Sequence, residues 1–182
     1  MRLLSIDTST HIGSVALRDE TGILGLITLS VSLTHSEGLM PAIDALLQQT
    51  QTAPADLTAV ACVTGPGSYT GLRIGIATAQ GLAAAHGLQC VGIPSLEVYA
   101  HAFPHAKYPL CPLLPARKGW VYARIYGWEV DRPVPRSEEL NLQPDELIKE
   151  IQEPTLFYGP GLGEVKEELK SILREEFIDA LP

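Results

Sequence analysis

Cysteine is scarce. The 182 residues hold three, Cys62, Cys90 and Cys111. An odd count with no pair at metal-ligand spacing argues against a disulfide framework, and three buried free thiols in a reducing cytosol are expected. Basic residues are scarce too. There are 13 Lys and Arg against 21 Asp and Glu, a net charge of −8. Nucleic-acid affinity rests mainly on Lys and Arg neutralising phosphates, so this chain is a poor autonomous nucleic-acid binder. A local basic group remains at Arg117, Lys118 and Arg124. Long apolar runs are missing as well. The first one meets Asp7 before it reaches signal-peptide length, and none approaches a membrane span. A soluble cytoplasmic protein with no membrane attachment is expected. No repeat of 20 to 50 residues and no low-complexity stretch is visible. What is present is a globular composition, 46% hydrophobic and 19% charged, in a length that suits one good domain plus a smaller one.

Residues 3–8 form a short apolar run ending in a polar cluster, and residues 13–18 alternate with Val15 and Leu17 on one face. Both read as strands. Asp19-Glu20-Thr21-Gly22 is a turn, and residues 23–29 a third strand. Leu39, Met40, Ile43, Leu46 and Leu47 recur at helical spacing. Thr34, His35, Ser36 and Glu37 have the spacing of a capping box, although Pro41 should kink the helix or delay its start. Residues 57–64 read as a strand in which Val60, Ala61, Cys62 and Val63 are continuously apolar, as in a strand covered on both faces. A glycine-rich loop follows, then a helix over about 70–86 capped by Gly87, a buried strand at 90–93, and a helix opened by Ser95. Three strands followed by βα units predict a mixed sheet with helices on its faces, the order of the ribonuclease-H/actin/hexokinase architecture. Prolines at 104 and 109 mark the expected boundary between a first domain, 1–104, and a smaller α/β domain, 105–182. In the latter, strands are expected at 110–114, 120–126 and 155–158, a loop at Pro133 and Pro135, a helix from Pro144, a turn at Gly159-Pro160-Gly161, and a charged helix over 164–177.

The loop Thr64-Gly65-Pro66-Gly67-Ser68-Tyr69-Thr70-Gly71-Leu72-Arg73-Ile74-Gly75 is the strongest local signal. Glycines let backbone approach a ligand, and free N–H groups at a helix start favour an anion. Gly65, Gly67 and Ser68 are the candidate phosphate contacts. The sequence is neither a Walker loop nor a dinucleotide fingerprint. A tight turn that packs helix on sheet explains the glycines equally well. Asp7, Thr8 and Ser9 close the first strand and would face the same cleft. Asp7 could hold a metal-bound water and the hydroxyls could touch phosphate, or they simply cap the turn. No metal site is expected. A second His one helical turn after His35 would fall at position 39, which is leucine, and Pro104 separates His101 from His105. No nucleophile elbow or local catalytic triad is present, so no catalytic residue is assigned. Arg73 is expected to pair with an acid such as Glu37.

In order and spacing, Ile6-Asp7-Thr8-Ser9, His35-Ser36-Glu37 with Leu39 to Pro41, and residues 64–75 resemble the bacterial TsaB (YeaZ) family. Ala116-Arg117-Lys118-Gly119, Val121-Tyr122-Ala123, residues 144–147 and Phe157-Tyr158-Gly159 extend the match over nearly the whole chain. The resemblance implies an actin/hexokinase-like fold and a part in making threonylcarbamoyladenosine beside the anticodon of tRNA. It implies a non-catalytic scaffold that forms a heterodimer with its catalytic paralogue TsaD. TsaE, an ATPase, joins them, and the family member self-associates in isolation. On this resemblance tRNA is met only through the complex. No cofactor is obligatory, and ATP or ADP would bind at the complex interface. The partner surface would lie on the first-domain helices, with His35, Glu37, Leu39, Met40, Ile43, Leu47 and Arg73 as candidates.

Two departures stand out. The family commonly carries Asp before Ala-Arg, where this chain has Pro115, and the chain ends early, so an abbreviated second domain is expected. The competing readings are a nucleotide-binding ATPase or kinase of the same fold, with Asp7 as its acid, and a glycoprotease-type peptidase, after an older family label.

Overall fold

The computed structural model describes residues 1–30, 35–173 and 177–179, the side chains of 35–37, 177 and 179 excepted. The chain divides into two compact units, Met1–Ser95 and Leu96–Pro182. The break expected at 104/105 lies on the prolines; this division falls earlier, in the short helix that follows Pro94.

In the first unit, β1 (Leu3–Asp7), β2 (Ile12–Asp19) and β3 (Gly22–Ser30) form an antiparallel meander. The turn before β3 is held by Asp19, whose Oδ1 accepts the Thr21 amide at 2.7 Å, and by Gly22 at φ +139°. Helix α1 (His35–Gln49) follows and runs through Pro41. Thr34, the expected cap, lies outside the described residues. Then come β4 (Ala59–Gly65), α2 (Tyr69–His86) and β5 (Gln89–Pro94). The strands β4 and β5 join parallel to β1, giving the order β3-β2-β1-β4-β5. This is the sheet order of the actin/hexokinase architecture. Gly87 ends α2 in the left-handed conformation at φ +65°, as a C-terminal glycine should.

The pleat explains the core. Leu4, Ile6, Val15, Leu17, Val60 and Cys62 alternate onto one face of the sheet. There they meet Leu39, Ala42, Ile43, Leu46 and Leu47 of α1 and Ala79 of α2. Burying a leucine of this kind contributes about 2 kcal/mol. The buried stripe of α2 is Gly71, Gly75, Ala79 and Ala83, four residues apart, so small side chains let that helix lie close on the sheet.

The second unit begins in α3 (Ser95–Ala100) and continues with β6 (Leu110–Pro115), β7 (Val121–Ala123), β8 (Tyr126–Glu129), β9 (Arg132–Pro135) and β10 (Leu140–Leu142). After these come α4 (Pro144–Leu147), β11 (Thr155–Tyr158), α5 (Leu162–Leu173) and β12 (Phe177–Asp179). The sheet order is β10-β7-β6-β11-β12, with the β8–β9 hairpin attached to β6. Setting that hairpin aside, the strands repeat the pattern of the first unit: third, second, first, fourth, fifth. Directions repeat too, antiparallel for β6–β7 and β7–β10, parallel for β6–β11 and β11–β12. Leu162, Val165, Leu169 and Leu173 make the buried stripe of α5 against Cys111, Leu113 and Phe157.

Three expectations for this region need correction. The strand expected at 120–126 is two strands. Arg124 and Ile125 leave the ladder, because Ile125 binds Ser137 Oγ through its amide at 3.0 Å and the Arg136 amide through its carbonyl at 2.8 Å. Pro133 and Pro135 lie in β9, which among the described residues pairs only with β8; an edge strand tolerates the missing N–H groups. Phe177 belongs to β12, and α5 ends at Leu173. A fourth correction concerns the thiols and β5: Cys62 and Cys111 are buried, but Cys90 is exposed, and the strand expected to be buried at 90–93 is largely exposed, being the edge of its sheet. No helix among the described residues is long and apolar enough to cross a membrane.

Candidate functional site

The polar end of β1 and the glycine-rich loop meet, as the spacing suggested. Asp7 Oδ1 accepts the Ser9 amide at 2.8 Å, which folds the chain back at the strand's end. Thr8 is buried, and its hydroxyl donates to the Gly71 carbonyl in the first turn of α2 at 2.7 Å. Ser9 is buried too; its carbonyl accepts the Ser68 amide at 2.7 Å, while its hydroxyl has no partner. The peptide between Gly65 and Pro66 is cis.

The glycines owe their identity to this junction. A Cβ at Gly67 would strike the Ser9 carbonyl oxygen, and one at Gly75 would strike the Thr8 hydroxyl. Ser68 caps α2, its Oγ accepting the Gly71 amide at 3.2 Å. The Leu72 amide bonds the Ser68 carbonyl at 2.8 Å. The amides of Tyr69 and Thr70 have no intrahelical acceptor and are the donors an anion would meet. Two of the site's other donors, the Ser68 amide and the Thr8 hydroxyl, are therefore spent on joining helix to strand.

The same device occurs in the second unit, at the turn Gly159-Pro160-Gly161. The Gly161 amide donates to the Leu113 carbonyl of the central strand at 2.9 Å. A Cβ at Gly161 would lie 2.7 Å from the Leu114 carbonyl carbon. The sequence shows this turn, but only the sheet order reveals it as the counterpart of residues 65–67. Its central strand ends on Pro115, where β1 ends on Asp7.

The partner-surface candidates separate. Leu39, Ile43 and Leu47 are in the core of their own unit, so they offer nothing to a partner; the stripe is the inner face of α1. Met40 is 48% exposed on the same helix, and Arg73 is exposed on α2. Arg73 lies over the Tyr69 ring, 4.6 Å from its centre. Glu37, the acid expected to pair with Arg73, and His35 have side chains outside the described residues. Sequence reasoning passed over Tyr69, which at 71% exposure is among the most exposed large side chains of the unit. An aromatic one turn before an arginine on a polar helix face is the signal that could have found it. His101 and His105 share one aromatic neighbour. Both stand edge-on to Trp128, with ring centres 5.9 and 5.4 Å away.

Buried titratable groups lie mostly in the second unit. Burial pushes the Cys111 thiol up to about 12. Burial likewise takes the Tyr126 hydroxyl to about 12, against a smaller opposing pull from Arg124. Tyr158, which donates to the Tyr99 carbonyl at 3.0 Å, is also raised by burial.

Comparison with known proteins fixes the relationship. Residues 14–131 match the family model for TsaD, tRNA N6-adenosine threonylcarbamoyltransferase. The chain is 34% identical over 177 residues to the tRNA threonylcarbamoyladenosine biosynthesis protein TsaB of Bacillus subtilis, covering 95% of this chain and 77% of that one. It is 35% identical over 131 residues to the Escherichia coli protein of the same name, covering 69% and 55%. YeaZ from Pseudomonas aeruginosa superposes with a TM-score of 0.78 at 27% identity, over 91% of this chain and 78% of that one. The chain belongs to the TsaB (YeaZ) family.

Proposed function

We propose that this chain is a non-catalytic scaffold and activator in the threonylcarbamoylation of the tRNA adenosine next to the anticodon. It works by forming a heterodimer with a TsaD-like catalytic subunit, which a TsaE-like ATPase joins, in the cytoplasm where tRNA is modified. The observation that carries the reading is the junction at Ser9. In a chain that matches a transferase family over residues 14–131, the Ser68 amide and the Thr8 hydroxyl are spent on holding α2 to β1. The loop retains the outline of an anion site, but its glycines serve close packing first.

The partner surface is drawn on the outer faces of α1 and α2, which pack together over one core. Met40, Tyr69 and Arg73 are among its exposed large side chains. An aromatic ring stacked with a guanidinium is the side-chain chemistry that protein interfaces favour. In isolation the same faces would pair two copies of this chain. Any nucleotide contact belongs to the complex, with the open amides of Tyr69 and Thr70 and the hydroxyl of Ser9 as this chain's contribution.

Reconstitution tests the reading. The purified chain with unmodified tRNA and threonylcarbamoyl donor should give no transfer; a TsaD-like subunit and a TsaE-like ATPase should restore it, and omitting this chain should abolish it. Transfer by the chain alone would overturn the reading, as would full activity of the other subunits without it. Calorimetry separates the rival enzyme reading, which requires tight Mg-ATP binding and turnover by the isolated chain, both lost in Asp7→Ala.

A further inference from the structure

The loop between β6 and β7 carries charge that the fold does not use. Residues 98–128 hold four cations, Lys107, Arg117, Lys118 and Arg124, and no Asp or Glu, within a chain of net charge −8. Arg124 is spent on structure, its Nε donating to the Ser137 carbonyl at 3.0 Å. Lys107 lies beyond the other end of β6, over the Tyr108 ring. Arg117 and Lys118 differ from both. They are exposed, adjacent, and without an ion pair among the described residues.

Their geometry is fixed in advance. The Trp120 amide donates to the Arg117 carbonyl at 2.8 Å, the Ala116 amide donates to the Trp120 carbonyl at 3.1 Å, and Gly119 takes φ +74°. That closes a tight turn which sets its first and last side chains next to each other. The Arg117 guanidinium accordingly lies over the Trp120 ring, 3.7 Å from its centre. Stacking restrains the arginine and leaves its fork of N–H donors at the rim of the turn. Beside it, Ala116, Lys118, Gly119 and Glu164 line an open cavity of about 560 Å³.

We propose that the turn from Arg117 to Trp120 contacts the phosphate backbone of RNA, with Arg117 bridging phosphate oxygens and Lys118 supplying a second charge. This deepens the function proposed above and rests on it, since it assigns this subunit a contact with the complex's own substrate. A cation pair alone would suit any anion. RNA is favoured because the exposed Arg117 guanidinium lies 3.7 Å over the half-buried Trp120 ring beside a second exposed cation, Lys118. A guanidinium stacked on an aromatic ring beside a further cation is a combination that RNA-binding surfaces use, and Glu164 is the one acid lining the neighbouring cavity. The net charge of −8 keeps this contact local: it adds to binding once RNA is near and does not capture RNA from a distance.

Anisotropy of fluorescently labelled, unmodified tRNA, titrated with the full chain between about 50 and about 200 mM salt, tests it. The Arg117→Ala/Lys118→Ala double variant should bind about tenfold more weakly at low salt. Its slope of log affinity against log salt should be smaller by about 1.5, the loss of two phosphate contacts. Lys118→Ala alone should give about half that change, which keeps the test open if the double variant does not fold. Arg117→Lys, which retains the charge but not the fork, should fall between. Polyglutamate should not displace the tRNA. An unchanged affinity and slope would overturn the proposal. So would absence of tRNA binding by the parent chain at the lowest salt, or displacement by polyglutamate, which would make the turn a dock for an acidic protein. Co-purification of the same variants with a TsaD-like subunit reads the underlying function separately: partner binding retained with RNA affinity unchanged overturns this contact alone.

Discussion

In the first unit the central strand β1 ends on Asp7, with Thr8 and Ser9 in the turn beyond it. In the second unit the central strand β6 ends on Pro115, followed by the Arg117–Lys118 turn. Strand order and direction are the same in both. Both lead from the fourth strand to its helix through Gly-Pro-Gly, and a backbone bond at that turn reaches the central strand or the turn just beyond it, Gly161 to Leu113 at 2.9 Å and Ser68, the residue after the glycines, to Ser9 at 2.7 Å. The shared part is therefore a packing joint. The polar residues are not shared: an acid with two hydroxyls on one side, a proline and two cations on the other. Glycine in this loop thus reports how closely helix and sheet approach, and chemistry has to be argued from the side chains around it.

The joint itself is the first place to break the comparison. Gly67→Ala and Gly161→Ala should each cost about 3 kcal/mol, since each Cβ meets backbone that cannot move aside. Urea denaturation of both variants measures this. A large loss in one and none in the other would show that the two turns are not equivalent.

The units should also differ in degree at high pH, where burial raises the Cys62 thiol in the first unit and three groups in the second. Burial raises Cys111 from 9.0 to about 12, so in the folded chain the thiol keeps its proton where the unfolded chain has lost it. Its stabilising contribution is complete below pH 9 and is lost as pH rises towards 12; Tyr126 behaves alike from about 10 to about 12. Stability should fall between pH 9 and 12 with a slope of up to about 1.4 kcal/mol per pH unit for each group, and Cys111→Ala should flatten it. Urea midpoints across that pH range give the answer.

Smaller effects sharpen the contrast along α2. Ser68→Ala removes its cap and should cost about 1 kcal/mol in thermal or urea unfolding. Gly81, in the same helix as Gly75, has nothing within 4 Å of its Cβ position, and Gly163 in α5 is similarly open. Alanine at either should stabilise by about 0.5–1 kcal/mol, whereas alanine at Gly75 should destabilise.

Much of the first unit was legible in the sequence. Its strands are five to nine residues long, enough for alternation or continuous burial to show, and Gly87 and Gly22 sit at positive φ where their turns need them. The second unit was less legible because β7, β10 and β12 have three residues each, too few to carry a period. Its repetition of the first unit's order leaves only Gly-Pro-Gly behind in the sequence. The loop and the end of β1 were brought together as expected. The leucine stripe of α1 was misassigned because helical spacing identifies an apolar face without saying whether a sheet of the same chain or a partner covers it.

The central claim is that this chain acts through the outer face of its first-unit helices. Co-purification of a TsaD-like subunit with the chain carrying Met40→Glu and Arg73→Glu tests it most directly, with urea unfolding as a control for fold. Both residues are exposed, so stability should change by no more than about 0.5 kcal/mol while the partner is lost. Full recovery of the partner with the doubly substituted chain would contradict the account.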